Sequence, residues 1–257
     1  MSPRGRAEKS SARSLVATGV LLVLAALLYA GCTSLTRKML FYPTHQPGTG
    51  GLARWEHDGK LLGFAREVQA PENVWLLLHG NGGQAADRVY ALRAFPPRDS
   101  VFIMEYPGYG LREGKPSRRS FDAAAREAYE ALRARFANTR VCVAAESIGS
   151  GPAATLGALA QPPDKLVFIV PFDDLKSVAK DYMRYVPVSL LLAGSWDNVD
   201  SLAKYNGPMD VFGARRDEVI HVRHAQALAA SRPQARFRLI EGGHNDWSGQ
   251  DVHIRNP

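Results

Sequence analysis

The sequence predicts an α/β fold in which a mostly parallel sheet of about eight strands is covered by helices on both faces. Short, nearly continuous apolar runs such as Val74–Leu78 are typical of parallel strands that are buried on both faces. Longer helical stretches such as Ser120–Phe136 lie between these runs, as crossovers between parallel strands require. The chain has 257 residues, 46% of them hydrophobic, which suffices for one domain. We expect that domain over residues 52–257.

The elements are expected in the following order. Two strands, Ala53–His57 and Leu61–Val68, form a hairpin, because Asp58-Gly59 between them favours a tight turn. Further strands are expected at Val74–Leu78, Val101–Met104, Val141–Val143, Leu166–Val170, Met209–Gly213 and Phe237–Ile240. Helices are expected at Gln84–Phe95, Ser120–Phe136 (with Ser120 as N-cap), Pro152–Ala160 and Arg223–Ala230.

An insertion at about 172–206 is irregular and partly helical. Its apolar residues favour a short helical cover over an apolar pocket that suits an acyl chain. The same residues fit core positions nearly as well, and both interpretations stay open. The residues concerned are Met183, Tyr185, Val186, Leu190–Leu192 and Trp196.

The first 31 residues have the composition of an export signal. A positively charged stretch ends at Arg13, and Leu15–Ala30 is a 16-residue uncharged apolar run. Small residues then lead to Cys32, and A-G-C resembles the lipobox of bacterial lipoproteins, in which the cysteine is lipidated and becomes the mature N-terminus. Tyr29 departs from that pattern, where Leu, Val or Ile is usual.

An uncleaved membrane anchor is the alternative, because Ser14–Thr36 is uncharged for 23 residues, enough to span a bilayer. Both interpretations place the domain outside the cytoplasm and tethered to a membrane, with residues 32–51 as a linker. Within that linker, Leu40–Thr44 is expected to pack as a lead-in to the domain. The lipoprotein resemblance, with Thr33 rather than Asp after the cysteine, implies the periplasmic face of an outer membrane.

Charge and composition argue against several other functions. Of the net charge of +7, +3 lies in the first 31 residues, and the remaining +4 is ordinary for a domain of this size. No basic run with interleaved aromatic residues predicts nucleic-acid binding, and no ligand motif predicts a metal or another cofactor. Cys142 lies within an apolar strand and is expected to be a buried free thiol. Oligomeric state is not indicated.

The segment V-C-V-A-A-E-S-I-G-S-G, from Val141 to Gly151, has the layout of a nucleophile elbow. An apolar strand is followed by a sharp turn and then by a helix, with Ser147 at the apex. Only small side chains fit two residues before and after that serine, where Ala145 and Gly149 stand. Ala145 is a mild departure from the usual G-x-S-x-G pattern.

Other reactive residues follow later strands. Asp217 comes shortly after the strand that ends near Gly213, and His244 follows the last strand. Because the carboxyl ends of parallel strands meet at one edge of a sheet, Ser147, Asp217 and His244 are expected to come together. Asp197 and Asp246 compete with Asp217, and His221 and His224 lie close enough in sequence to be mistaken for the base.

With these motifs in this order, the sequence resembles the α/β-hydrolase family, and in particular its small lipase, depalmitoylase and serine-aminopeptidase-like branch. The resemblance rests on L-F-Y-P, H-G-N-G-G, E-Y-P-G-Y-G, E-S-I-G-S-G, D-E-V-I and G-G-H-N-D and spans roughly residues 38–250. It implies that Ser147 is the nucleophile, His244 the general base and Asp217 its partner. The backbone N–H groups of Asn81 and Ile148 would form the oxyanion hole.

We therefore expect a membrane-tethered serine hydrolase that cleaves carboxylic ester or thioester bonds, with a small acyl ester or a lipid as substrate. A serine peptidase of the aminopeptidase-like type is the alternative enzyme. A non-catalytic envelope protein on a hydrolase scaffold is less favoured, because such proteins usually lose a catalytic residue and this chain retains all three.

Overall fold

The computed structural model describes residues 40–183, 192, 194–250 and 252–257. The predicted signal or anchor (residues 1–31) and Cys32 lie outside the described residues. Within the described ranges, no helix combines the length and the apolar character that crossing a membrane requires. Residues 41–257 form one compact unit.

Eight strands form a single sheet in the described part of the chain, in the order β1-β2-β4-β3-β5-β6-β7-β8. Strands β1 and β2 are antiparallel to each other, β2 is antiparallel to β4, and all other neighbours are parallel. The strands are β1 (Ala53–His57), β2 (Lys60–Arg66), β3 (Asn73–Leu78), β4 (Ser100–Met104), β5 (Arg140–Glu146), β6 (Leu166–Ile169), β7 (Met209–Ala214) and β8 (Ala235–Ile240). The predicted fold class is confirmed.

The hairpin between β1 and β2 turns at Asp58 and Gly59, as predicted. Both residues have a positive φ, 49° and 73°, as in a type I′ turn, whose twist matches that of the flanking strands.

Helices lie between the strands. The α-helices are α1 (Arg118–Arg135), α2 (Ser150–Leu156), α3 (Leu175–Tyr182), α4 (Asn198–Ser201) and α5 (Val222–Ala230), and the segments Ala85–Ala94, Ser147–Gly149 and Trp247–Gly249 are 3₁₀-helical. Alternate residues of β3 point to opposite faces. Trp75 and Leu77 pack with the Ala85–Ala94 segment, while α1 contacts β3 from the other face.

Two helix predictions need correction. The N-cap of α1 is Ser117 rather than Ser120, because the backbone is still extended at Ser117 (φ −164°, ψ 161°). The Ser117 hydroxyl accepts from the Ser120 N–H (3.1 Å), and the Ser120 hydroxyl accepts from the Ser117 N–H (3.0 Å), so the two serines cap the helix together. The helix expected at Pro152–Ala160 begins earlier and ends at Leu156.

The described part of the predicted linker packs on the domain. Phe41 is buried with its ring centroid 4.9 Å from that of Phe121. The Thr44 N–H donates to the Gly83 carbonyl (3.3 Å), and the Thr44 carbonyl accepts from the Gly110 N–H (2.9 Å). The lead-in therefore belongs to the compact unit of residues 41–257, and residues 41–51 do not form a free linker.

The insertion is described only in part, since residues 184–191 and 193 lie outside the described residues. Trp196 is 1% exposed, and its indole N–H donates to Asp122 (2.7 Å). A Cβ added at Gly151 would lie 2.5 Å from the Trp196 ring. Trp196 therefore completes the core against α2, as the second of the two interpretations of the insertion expects.

Candidate active site

The predicted nucleophile lies at the end of β5, where the chain turns sharply into the Ser147–Gly149 segment and then α2. Ser147 has a φ of 52°, in the left-handed region that non-glycine residues rarely adopt. A Cβ added at Gly149 would lie 2.3 Å from the Leu78 carbonyl oxygen of the neighbouring β3 strand. The turn is thus possible because residue 149 has no side chain.

The structure brings Ser147, His244 and Asp217 into one hydrogen-bonded chain. The Ser147 Oγ lies 2.8 Å from the His244 Nε2, and the His244 Nδ1 lies 2.8 Å from the Asp217 Oδ2. All three are buried, with exposed fractions of 7%, 9% and 5%. The three residues come from the segments after β5, β8 and β7, at the carboxyl edge of the sheet.

The Asp217 carboxylate is oriented by the loop after β7. Its Oδ1 accepts from the backbone N–H groups of Val219 (2.9 Å) and Ile220 (2.7 Å), which leaves Oδ2 for His244. The loop after β8 is tied to it, because the Arg216 N–H donates to the Gly242 carbonyl (2.9 Å). Backbone hydrogen bonds therefore set the distance between the Asp217 carboxylate and the His244 imidazole.

The competing carboxylates have other partners. Asp197 caps α4 by accepting from the Asp200 N–H (2.9 Å). Asp246 accepts from the Gly243 N–H (2.9 Å) and so braces the His244 loop without contacting the imidazole in the described contacts.

The competing histidines also lie elsewhere. The His221 Nδ1 is 3.3 Å from the Asp217 backbone carbonyl. His224 is buried between Asp173 (2.7 Å) and Asp181 (2.9 Å), one carboxylate at each ring nitrogen. Burial alone would lower the pKa of His224, but the hydrogen bonds to the two carboxylates outweigh it and raise that pKa. No local pattern in the sequence predicts this bridge, because its two acids lie 51 and 43 positions from His224.

The two residues predicted to form the oxyanion hole lie in the segments that follow two neighbouring strands, β3 and β5. Leu78 pairs with Ala145 across β3 and β5, and Asn81 and Ile148 each follow three residues later. The Asn81 side-chain oxygen accepts from the Tyr109 hydroxyl (2.9 Å) and from the Tyr42 and Gly82 N–H groups (3.0 Å each). These contacts attach the glycine-rich loop to the lead-in. The oxyanion role of the two N–H groups remains a prediction.

A shallow groove of about 360 Å³ opens beside the base. It is lined by Arg216, Glu218, Val219, Gly243, His244, Asn245 and Asp246. Its lining is polar and carries both signs of charge, so on this side the His244 imidazole borders a polar surface. The exposed Val219 contributes an apolar side chain to the groove.

The residues that the structure describes include neither a cluster of metal ligands nor an exposed thiol. The described residues contain no group of three or more His, Cys, Asp or Glu side chains placed to hold a metal ion. Cys142 is buried in β5, and burial raises the pKa of its thiol, which suits a core residue.

Comparison with known proteins gives the fold. No model of a protein family matches the chain. An uncharacterised protein of Mycobacterium tuberculosis strain H37Rv is 26% identical over 250 residues, which cover 91% of this chain and 86% of that protein. Alpha/beta hydrolase domain-containing protein 17C of Xenopus laevis is 27% identical over 203 residues, covering 75% of this chain and 63% of that protein.

Solved structures with a similar fold include an esterase and an alpha-beta hydrolase. An esterase from Pyrococcus furiosus superposes with a TM-score of 0.59 at 14% identity, covering 81% of this chain and 95% of that one. An alpha-beta hydrolase from Vibrio vulnificus superposes with a TM-score of 0.59 at 16% identity, covering 74% and 73% of the two chains. The chain has the α/β-hydrolase fold. In the α/β-hydrolase fold a triad follows the chain order serine, acid, histidine, which is the order of Ser147, Asp217 and His244.

Proposed function

We propose that this protein is a membrane-tethered serine hydrolase that cleaves carboxylic ester or thioester bonds through an acyl-enzyme on Ser147. The observation that carries the proposal is the buried chain from Ser147 through His244 to Asp217, with 2.8 Å at each step. A serine hydroxyl is a poor nucleophile at neutral pH, and a base within hydrogen-bond distance makes it a useful one.

In the first half of the reaction, the Ser147 Oγ attacks the substrate carbonyl carbon while its proton passes to the His244 Nε2. The carbonyl oxygen becomes an oxyanion, which the N–H groups of Asn81 and Ile148 stabilise. His244 then gives its proton to the departing alcohol or thiol, and Ser147 is left acylated. In the second half, a water molecule loses a proton to His244 and attacks the acyl carbon, which frees the acid and restores the Ser147 hydroxyl.

Asp217 acts through the imidazole. Its Oδ2 holds the Nδ1–H tautomer, so that Nε2 presents a lone pair to Ser147, and its negative charge stabilises the imidazolium that forms during attack. Two backbone donors at Oδ1 keep this carboxylate from rotating away.

Two further features support an acyl substrate at a membrane. A protein of similar fold is an esterase, the one from Pyrococcus furiosus. The first 32 residues carry the charge and apolar pattern of an export signal that ends at a lipidation cysteine or anchors the chain. A tethered hydrolase meets acyl esters, lipids or lysolipids at the membrane surface. Cys32 is the proposed lipidation site, and the proposed location is the periplasmic face of an outer membrane, with an inner-membrane anchor as the alternative.

The test is hydrolysis of p-nitrophenyl esters of increasing acyl length by the full chain in detergent, with fluorophosphonate labelling of the same samples. Ser147→Ala should lose at least about 10³-fold in kcat and should not label, because the hydroxyl that would carry the acyl group is removed. Ser231→Ala is the matched control, since Ser231 lies at the end of α5 and its hydroxyl bonds only the local Leu228 carbonyl (2.7 Å) in the described contacts.

Each outcome separates the candidate functions. Labelling and turnover by wild type, lost in Ser147→Ala and kept in Ser231→Ala, support the proposal, and the acyl-length optimum sizes the pocket. Cleavage of aminoacyl anilides in preference to esters would favour the peptidase alternative. An unlabelled and inactive wild type would reject the proposal and favour the scaffold alternative.

A further inference from the structure

An arginine lies beneath the glycine-rich loop that follows β3. The Arg88 Nη2 donates to the carbonyl oxygens of Gly80 (3.3 Å) and Gly82. A Cβ added at Gly83 would lie 3.0 Å from the same nitrogen, so the glycine leaves room for the guanidinium. Arg88 interrupts the helical geometry of the Ala85–Ala94 segment (φ −92°, ψ 16°), and its side chain reaches the loop from there.

The contact at Gly80 has a geometric consequence for Asn81. The Gly80 carbonyl and the Asn81 N–H belong to one planar trans peptide, so they point in opposite directions. A donor that holds the carbonyl therefore also sets the direction of the N–H. The same oxygen lies 2.8 Å from the His79 Nδ1, which must carry a proton to bond a carbonyl. Two donors thus fix this peptide plane.

The guanidinium is itself held by a half-buried tyrosine, which in turn reaches a buried carboxylate. The Arg88 Nη1 donates to the Tyr90 hydroxyl (2.9 Å), which lies 3.5 Å from the Glu146 Oε2. Glu146 is 4% exposed and directly precedes Ser147. Its Oε2 also lies 3.4 Å from the Gly80 backbone nitrogen, which donates to it. The network thus joins the strand of the nucleophile to the loop that carries Asn81.

The surroundings of Arg88 and Tyr90 keep both side chains protonated. Burial alone would lower the pKa of Arg88, but nearby Glu146 and Tyr90 outweigh it and raise that pKa, so the guanidinium stays charged. Burial, with the nearby Glu146 carboxylate, raises the pKa of Tyr90 to about 12, so the phenol keeps its proton at neutral pH.

We infer that Arg88 is a positioning residue for the oxyanion hole: it holds the Gly80–Asn81 peptide so that the Asn81 N–H already points at the oxyanion when it forms, with Tyr90 and Glu146 holding the guanidinium. The inference rests on the proposed function. A preorganised donor needs no rearrangement during reaction, which is why such donors stabilise the transition state more than the ground state. Replacing Arg88 should therefore lower kcat and leave KM nearly unchanged.

The experiment compares Arg88→Met and Arg88→Lys with wild type, using the full chain in detergent and one p-nitrophenyl ester. Arg88→Met should lower kcat about 100-fold with KM within about threefold. Arg88→Lys keeps a positive charge but has one nitrogen in place of the two that bond Tyr90 and the loop carbonyls. Its kcat should be less than about tenfold above that of Arg88→Met. Arg93→Met is the matched control, because Arg93 lies on the same segment but is exposed and reaches only Ser248 (3.2 Å) in the described contacts.

A second readout separates positioning from general support of the fold. A trifluoromethyl ketone forms a tetrahedral adduct with the serine and places an oxyanion in the hole. Its affinity should fall in Arg88→Met in proportion to kcat/KM, while Arg93→Met should bind it as wild type does. If Arg88→Met does not fold, Tyr90→Phe and Glu146→Gln take its place. Each should lower kcat by about threefold to tenfold at unchanged KM, because each weakens one hydrogen bond of the network.

The outcomes distinguish this inference from the proposed function. If wild type hydrolyses esters and labels, but Arg88→Met keeps wild-type kcat or loses it without losing ketone affinity, the positioning role is rejected and the hydrolase remains. Wild-type kinetics in both Tyr90→Phe and Glu146→Gln, where Arg88→Met is unfolded, rejects it equally. If wild type neither labels nor turns over, the proposed function fails and the positioning role fails with it.

Discussion

The two sides of the site are built in different ways. On the nucleophile side, Ser147 sits in a turn enclosed by close packing, with Gly149 against the Leu78 carbonyl and Gly151 against Trp196. On the acid–base side, Asp217 and His244 lie on loops whose neighbours are exposed and whose shape depends on hydrogen bonds.

Because of this difference, we expect substitutions at the elbow to lower mainly the stability of the fold and substitutions in the loops to lower mainly the rate of the reaction. Close packing around the elbow means that an added methyl group there has to displace backbone, which costs free energy of unfolding. Hydrogen bonds in the loops after β7 and β8 set the direction of two side chains and bury little surface, so changes there should affect the rate far more than the fold. Two variants test that division.

The largest effect is expected for Asp217→Asn. The amide keeps the size of the carboxylate but presents an N–H to the His244 Nδ1, which favours the wrong tautomer of the imidazole. The kcat for ester hydrolysis should fall about 10³- to 10⁴-fold, with a melting temperature close to that of wild type.

Asp246→Asn is the control for this variant, because Asp246 accepts from the Gly243 N–H on the same loop as the base. Its kcat should stay within about tenfold of wild type. An equal loss in the two variants would contradict the assignment of Asp217, and a large drop in the melting temperature of Asp217→Asn would contradict the division between the two sides.

Gly149→Ala should act in the opposite way. Its Cβ would lie 2.3 Å from the Leu78 carbonyl oxygen, and a β3 strand buried on both faces leaves little room for that backbone to move. We expect a loss of about 3–4 kcal/mol in the free energy of unfolding, or about 10 °C in melting temperature by differential scanning calorimetry.

Gly249→Ala is the matched substitution, since an added Cβ there meets nothing within 4 Å and its φ is not positive. Its melting temperature should change by no more than about 2 °C. If Gly149→Ala has the same melting temperature as Gly249→Ala, steric exclusion at the elbow is not the reason why position 149 requires glycine.

The smallest effect is expected from His224→Gln and appears as a change in pH dependence. The pKa of His224 is raised in the folded state by Asp173 and Asp181, whose own pKa values are lowered because the bonds to His224 outweigh burial. Arg223 also pairs with Asp181, so that carboxylate has a second basic partner.

A raised histidine pKa stabilises the fold fully below the ordinary value of about 6.5, and that stabilisation is lost as the pH rises through the raised pKa. The wild-type melting temperature should therefore fall by a few degrees between about pH 6 and pH 9, and His224→Gln should flatten that slope. His57→Gln, on the exposed β1 strand, should keep the wild-type slope; a slope unchanged in His224→Gln would contradict the assignment.

Much of the fold was predictable because its signals are local. The apolar run Val74–Leu78 is β3 with one residue added, and the hairpin turns at Asp58 and Gly59. The boundary errors are local as well. Ser117 and Ser120 each qualify as an N-cap by residue type, and only the backbone angles at Ser117 distinguish them.

The network beneath the glycine-rich loop was not predictable in the same way. In the sequence Glu146 is one polar residue beside Ser147, and neither Arg88 nor Tyr90 stands out in its helical segment. Glu146 and Tyr90 are 56 positions apart, and no periodicity in the chain relates them. Their contact exists only because β5 lies beside β3 in the sheet.

The amino-acid sequence alone specifies the alternation of buried strands and helices, the elbow around Ser147 and the order of Ser147, Asp217 and His244. These features depend on residue types at short spacings, which sterics and burial constrain directly. Three other features become visible only in the folded chain: Trp196 fills the core, His224 bridges two carboxylates and Arg88 bonds the loop of Asn81. Each of these is a pairing between segments that are distant in the sequence. The partners meet because the strand order places their segments next to each other.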